Sequence, residues 1–301
     1  MITVFGSANL DLIGTVHRLP GPGETVPGDT FSTAPGGKGA NQALAARRAG
    51  AVVRLFAAVG SDGFAREALG ALAAGGVDLG SVARVEGAAT GIAMILVDQK
   101  GENVIAILPG ANATMSVTRA EEALQGLGAG DVLMLQQEIP QAATERALDL
   151  ARTQGVTAIL NTAPCLETTP ALARKASIVV SNETEFALIA GSDAPLDRLM
   201  RAWAEDTGNT IIVTLGADGA RAATPERAFA VPAPRIEPVD TVGAGDTFCG
   251  YLAAGIDSGL PLEAAMHRAV VAASLACLKP GAQPAIPTAP EVEAALRSGS
   301  R

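Results

Sequence analysis

Between residues 119 and 214 short apolar runs alternate with longer amphipathic segments, and this alternation constrains the fold more than any other feature. The runs at 131–135, 157–161, 177–180 and 210–214 are of strand length and mostly apolar. The segments at 119–127, 141–155, 183–190 and 196–207 carry helical spacing. Strands that read as apolar runs are buried on both faces, and helical crossovers between them make the strands parallel. The expected fold class is α/β, a central mostly parallel sheet with helices on both faces.

The first third of the chain adds a second motif to that body. A strand-like run, Ile2 to Phe5, breaks at Gly6-Ser-Ala-Asn9. Residues 12–34 alternate in short segments around the turn Pro20-Gly-Pro-Gly23, as strands do. An Ala-rich helix is predicted over Gly39 to Gly50, a strand over Val52 to Val59 and a helix over Ala65 to Ala74. Gly91 to Asp98 and Asn103 to Leu108 read as a hairpin around the Gln99–Glu102 turn. Paired with 12–34, this hairpin is expected to complete a small antiparallel β lid. With no repeat or linker in the sequence, residues 1–301 are expected to form a single domain, its lid built from about 12–34 and 91–108.

Composition removes several classes of function. The chain of 301 residues has 31 acidic against 22 basic side chains, a net charge of −9, which opposes binding to nucleic acid or an anionic membrane. No apolar stretch is long enough to span a bilayer. The opening Met1-Ile-Thr-Val-Phe5 shows no basic leader, so a cytoplasmic protein is expected. Cys165, Cys249 and Cys277 form no CxxC pair and read as free thiols. His17 and His267 lie far from them in sequence, which argues against zinc and against a His-dependent triad.

The chemistry concentrates in Asp240-Thr-Val-Gly-Ala-Gly-Asp-Thr-Phe-Cys-Gly250. Gly243-Ala244-Gly245 precede a lone carboxylate, Asp246, and a helical segment. Such glycines let successive N–H groups face one point, where a helix N-terminus adds partial positive charge. The nest suits a phosphoryl group, and a carboxylate at its edge can take a proton from an attacking hydroxyl. The plainer alternative is a tight turn with Asp246 as helix N-cap. Five other polar clusters sit just past predicted strand ends, where α/β folds place ligands. They are Asn9 with Asp11, Gly36-Gly-Lys-Gly-Ala-Asn41, Gln136-Gln-Glu138, Asn182-Glu-Thr-Glu185 and Thr214-Leu-Gly-Ala-Asp-Gly219. Each also has a structural reading: an Asx turn, a helix start, a solvated loop, an N-terminal cap, a hairpin. The lysine loop is not a Walker loop, because Gly39 stands where Ser or Thr is required.

Together, Gly6-Ser-Ala-Asn-Leu-Asp11, Pro35-Gly-Gly-Lys-Gly-Ala-Asn-Gln42, the Asn182 and Thr214 clusters and Asp240–Asp246 resemble the ribokinase-like, or phosphofructokinase-B type, family of carbohydrate kinases. The resemblance spans nearly the whole chain; Gly101-Glu-Asn-Val104 and Pro280-Gly-Ala-Gln-Pro284 strengthen it and point to D-ribose as the sugar. It implies an ATP-dependent sugar kinase in which Asn9, Asp11, Gly37, Lys38, Asn41 and Glu138 hold sugar hydroxyls. Asp246 is then the general base, and the N–H groups of Gly243, Ala244 and Gly245 form the anion hole. Asn182 and Glu185 organise ATP phosphates and Mg²⁺, with Glu185 acting through water. Thr214, Gly216, Gly219 and Gly245 belong to the nucleotide site. A monovalent-cation site for K⁺ is implied at Asp240, Val242, Ala276, Lys279, Gly281 and Ala285, although Ala285 stands where the family often carries Ser. A homodimer through the β lid is implied as well. The alternatives are a family kinase for 2-deoxyribose, a ketose, 2-keto-3-deoxygluconate or a nucleoside, or a sugar- or nucleotide-binding protein without catalysis. A nucleoside would favour aromatic surfaces, and Phe31 is the only aromatic in the lid segments. A sugar acid would need extra cations, for which the lid offers Arg18 and Lys100.

Overall fold

The computed structural model describes residues 1–192 and 194–299. The chain opens with β1 (Ile2–Phe5), β2 (Asn9–Val16), β3 (Gly28–Gly36) and α1 (Lys38–Arg48). Next come β4 (Val53–Phe56), β5 (Ala58–Gly60), α2 (Gly63–Gly75), β6 (Ala83–Val85), β7 (Gly91–Val97) and β8 (Asn103–Leu108). The regular alternation then runs through α3 (Val117–Leu124), β9 (Val132–Leu135), α4 (Gln141–Gln154), β10 (Thr157–Asn161), α5 (Thr169–Ala173), β11 (Ile178–Asn182), α6 (Glu183–Ala190), α7 (Leu196–Thr207) and β12 (Thr210–Thr214). It closes with β13 (Ala220–Ala223), β14 (Ala228–Val231), α8 (Ala244–Asp257), α9 (Leu262–Ala276) and α10 (Ala289–Gly299).

Eight strands form the central sheet, in the order β14-β13-β12-β11-β10-β9-β1-β4. From β12 to β4 they run parallel, and β13 and β14 are antiparallel additions at one edge. One apolar core lies against α1, α2, α8 and α9, with α10 contributing Val292, and a second lies under α3 to α7. The expected helix-covered sheet is therefore present. Among the described residues no helix is long and apolar enough to cross a membrane.

The lid is a separate four-stranded sheet, order β3-β2-β7-β8. It is mixed rather than antiparallel: β2 pairs antiparallel with β3 but parallel with β7. Two strands from segments 75 residues or more apart are joined by a crossover, which leaves parallel pairing open to them, whereas a hairpin does not. The predicted strand over 52–59 divides at Ala57: β4 joins β1 in the central sheet and β5 pairs with β6. The apolar run is unbroken there, so nothing in the pattern marks the change of partner. The hairpin reading of Thr214–Gly219 is met by β13, which pairs antiparallel with β12; β14 was not anticipated, because four residues, AFAV, are too few to show a strand period. Five-residue α5 is too short to show a helical period, and the sequence reading does not extend to α9 and α10.

Helix α8 crosses α1 at unusually close range. A Cβ placed on Gly250 would lie 2.4 Å from Ala45 Cβ and 2.6 Å from Ala46 N. Replacing Gly by Ala inside a helix ordinarily gains about 1 kcal/mol in propensity. Here the obstruction is backbone, which cannot swing aside, so overpacking costing about 1–3 kcal/mol opposes and outweighs that gain. Gly250→Val, with a branched side chain at the same contact, is expected to lower the denaturant midpoint clearly. A midpoint equal to wild type would show that the two helices separate without cost.

Candidate active site

The site lies at the carboxyl ends of the parallel strands. After β1 the chain turns through Gly6, Ser7 and Ala8 into β2, and the start of α1 is driven into that turn. Cβ atoms on Gly37 and Gly39 would fall 2.7 Å from Asn9 N and 2.5 Å from Ser7 N, so only glycine permits the approach. Gly37, at φ 88°, is the N-cap of α1. Ser7 Oγ donates to Glu138 Oε2 at 2.5 Å, and the Lys38 N–H donates to the same oxygen at 3.0 Å. Glu138, placed just past β9, is thus held against the glycine loop.

Asn9 and Asp11 stand on β2 at the base of the lid. Asn9 is buried, and its Oδ1 accepts from Asn112 Nδ2 at 2.7 Å. Asn112 also accepts from the Ala8 N–H at 3.0 Å and donates to the Ala8 carbonyl at 3.2 Å. This one side chain, in the turn after β8, ties the end of the lid to the root of the site.

Asp246 occupies the first turn of α8 but does not cap it; Gly243, at φ 76°, is the N-cap. The capping alternative for Asp246 is therefore excluded. Its carboxylate is 7% exposed and is gripped from α1: Asn41 Nδ2 donates to Oδ2 and Gln42 Nε2 to Oδ1, each at 2.9 Å.

Three carboxylates share this basin. Burial, followed by the charges of Glu138 and Asp246, pushes Asp11 from an ordinary 3.8 up to about 6. The compensating cation is Lys38. Burial lowers its pKa, but the charges of Asp246, Glu138 and Glu185 outweigh that effect and leave it raised. The ammonium is therefore retained as the electrostatic counterpart of the carboxylates. Asp11, Lys38, Asn41, Glu138 and Asp246 are brought together as expected.

Beside the α8 N-terminus opens a mostly apolar cavity of about 530 Å³, lined by Thr214, Gly216, Gly219, Thr241, Ala244 and Gly245 among others. Gly219, at φ 90°, would place a Cβ 2.1 Å from the Val231 carbonyl oxygen, so the turn after β12 requires glycine. Of the three expected anion-hole donors, the N–H groups of Gly243 and Gly245 meet no protein acceptor among the described residues. The Ala244 N–H is directed at the Thr241 carbonyl at 3.3 Å. Asn182 and Glu185 do not line the cavity. They form a capping box on α6, and Glu185 Oε2 also accepts from Thr162 Oγ1 at 2.8 Å. The structural role weighed for this pair is real, while Glu185 still acts electrostatically on Lys38.

Three of the residues expected around a monovalent cation, Asp240, Val242 and Gly281, adjoin. Asp240 accepts from the Val242 N–H at 2.9 Å and the Gly281 N–H at 2.8 Å, fastening one loop to the other. A Cβ on Gly243 would touch Ala282 at 2.8 Å, so the turn at the start of α8 rests directly on this second loop. The Ala276 carbonyl accepts the Lys279 N–H at 3.3 Å, and Ala285 is buried. Sequence reasoning missed Ser7, Gln42, Asn112 and Gln283 as members of the site. Gln42 sits inside a motif that was read, but its direction on α1 became clear only with α8 in place.

A model of the pfkB family of carbohydrate kinases matches residues 1–289. The ribokinase of Schizosaccharomyces pombe is 35% identical over 307 residues, covering 97% of this chain and 96% of the relative. The deoxyribokinase of Salmonella typhimurium is 35% identical over 292 residues, covering 95% of each. The structure of Arabidopsis thaliana ribokinase complexed with ribose and ATP superposes with a TM-score of 0.89 at 30% identity, covering 98% of both chains. With its glycine-cradled carboxylate basin and the match along nearly all its length, this chain belongs to the pfkB family of carbohydrate kinases.

Proposed function

We propose that this protein is a ribokinase, transferring the γ-phosphoryl group of ATP to the C5 hydroxyl of D-ribose. The observation that carries the reading is the convergence of Asp11, Lys38, Glu138 and Asp246 in one basin beside the α8 N-terminus. The apolar cavity beside that terminus has room for a nucleotide. Asn9, Asp11, Gly37, Lys38, Asn41 and Glu138 hold the sugar hydroxyls. Asp246 orients the attacking hydroxyl and accepts its proton as the new O–P bond forms and the bond to ADP breaks. Backbone N–H groups of Gly243, Ala244 and Gly245 receive the charge on the transferring phosphoryl oxygens, with the Ala244 N–H released from Thr241. The lid closes over the sugar and excludes water, which suppresses ATP hydrolysis.

Among the described residues no group of three Asp, Glu, His or Cys side chains is arranged to hold a metal. Asn182 and Glu185 would organise Mg²⁺ with the donor's phosphates, Glu185 through water, since the ion keeps most of its waters. When bound, the ion neutralises charge on the phosphates. Carbonyls of the fastened loops around Asp240, Val242, Ala276, Lys279, Gly281 and Ala285 would hold K⁺, with no hydroxyl offered by Ala285. The cytosol, where the three free cysteines stay reduced, is the compartment this reading implies. A sugar acid is disfavoured, because Arg18 is paired with Glu24 at the surface. The alternative sugar is 2-deoxyribose, to whose kinase the chain is also 35% identical, but the ribokinase relatives and solved structures do not favour it.

The lid also carries an exposed apolar strand, with Val104, Ile105, Ile107 and Leu108 each about half exposed. We infer a symmetric homodimer through this sheet, since an uncovered apolar strand is otherwise a liability. Ile105→Lys is expected to shift the sedimentation coefficient from dimer to monomer; a wild-type monomer would refute the dimer.

Asp246→Asn is expected to lower kcat for ribose by about 10²–10⁴-fold with ATP binding retained. Turnover close to wild type would remove the base assignment, and a higher kcat/KM for 2-deoxyribose would replace the sugar. Asp11 supplies a pH test. Its raised pKa means that the folded free protein holds a proton between about pH 4 and 6 that the unfolded chain has lost, so stability falls as pH rises through that window. Hydroxyl donors favour the ionised form, so ribose binding near pH 6 should release protons and weaken as pH drops. Calorimetry in buffers of different ionisation heat would show this release, and Asp11→Asn should abolish it. Equal apparent heats for wild type across buffers would contradict the contact.

A further inference from the structure

The amides around Asp246 form a directed chain. Gln283 Nε2 donates to Asn41 Oδ1 at 3.0 Å, and Asn41 Nδ2 donates to Asp246. From the other side, Gln136 Nε2 donates to Gln42 Oε1 at 2.7 Å, and Gln42 Nε2 donates to Asp246 and, at 3.1 Å, to Asn161 Oδ1. Every amide on the path donates toward the carboxylate. Two carboxylate oxygens that only accept force Asn41 and Gln42 to present N–H; their own carbonyls must then accept from Gln283 and Gln136. The direction comes at a cost at both ends, where Gln136 Oε1 and Gln283 Oε1 are buried with no donor among the described residues. Gly6 leaves room for it: a Cβ there would lie 2.0 Å from Gln136 Oε1.

The distal end is anchored. Arg48 Nη1 donates to the Gln283 and Ile286 carbonyls at 2.8 and 2.6 Å, and Tyr251 donates to the Pro287 carbonyl at 2.9 Å. The loop carrying Gln283 is thus bolted to both α1 and α8.

We propose that Gln42 and Gln283 are positioning residues for Asp246, fixing the plane of its carboxylate so that a lone pair faces the sugar hydroxyl. The inference rests on Asp246 acting as the base. Gln42 acts directly on the carboxylate, and Gln283 acts through Asn41. Because Asn41 also faces the sugar, the two glutamines should leave different kinetic signatures.

Gln42→Leu is expected to lower kcat by about 10–10²-fold, as misplacement of a reacting group does, with ribose KM unchanged. Gln283→Leu should lower kcat and raise ribose KM together. In the Asp246→Asn background, adding Gln42→Leu should cost nothing further, because there is no carboxylate left to aim. Wild-type kcat in both folded leucine variants, or the same loss in both backgrounds, overturns the proposal. If Gln42→Leu does not fold, Gln42→Met and Gln283→Leu carry the same cycle. If Asp246→Asn alone retains full kcat, the base assignment fails and this inference falls with it; a dead Asp246→Asn beside unaffected glutamine variants sinks this inference alone.

Discussion

The crossing of α1 and α8 is the contact on which the site depends. Gly250 offers no side chain, so α8 settles onto the backbone of α1 at Ala45 and Ala46. One turn of helix away, the same approach brings Asn41 and Gln42 within hydrogen-bond distance of Asp246. A shift of an ångström here would leave a buried carboxylate without its donors, a state costing more than the packing itself. The small residues that line both helices, with alanines on one and glycines on the other, keep the interface thin.

Charge balance follows from that geometry. Three carboxylates drawn into one half-buried basin would repel, and Asp11 registers the strain by holding its proton to about pH 6. Lys38 relieves part of it and is kept charged by the same neighbours. Sugar hydroxyls would relieve the rest, since they donate hydrogen bonds without adding charge. This charge balance suits a polyol better than an anion.

The lid and the turn that opens α8 depend on side chains that fasten separate segments. Asn112 grips both backbone groups of Ala8 and the amide of Asn9. Asp240 joins the loop before α8 to the loop at Gly281. Each is a single polar residue bridging stretches distant in sequence, and neither belongs to a run with a periodic pattern. That is why Asn112 went unread, while Asp240 was noticed only through the motif that contains it.

The sequence by itself determined the helix-covered parallel sheet, because apolar runs of strand length between amphipathic helices can bury both faces in no other way. It also determined the clusters at the strand ends, from Asn9 to Asp246, because glycine and carboxylate patterns are local. Only the tertiary structure decided the rest. The pairing of β2 with β7 and the exit of the chain from the sheet at Ala57 rest on partners remote in sequence. So does the direction of Gln42 toward Asp246 and of Gln283 toward Asn41. Hydrogen-bond partners over 200 residues apart leave no spacing to read, and their geometry exists only once the helices have packed.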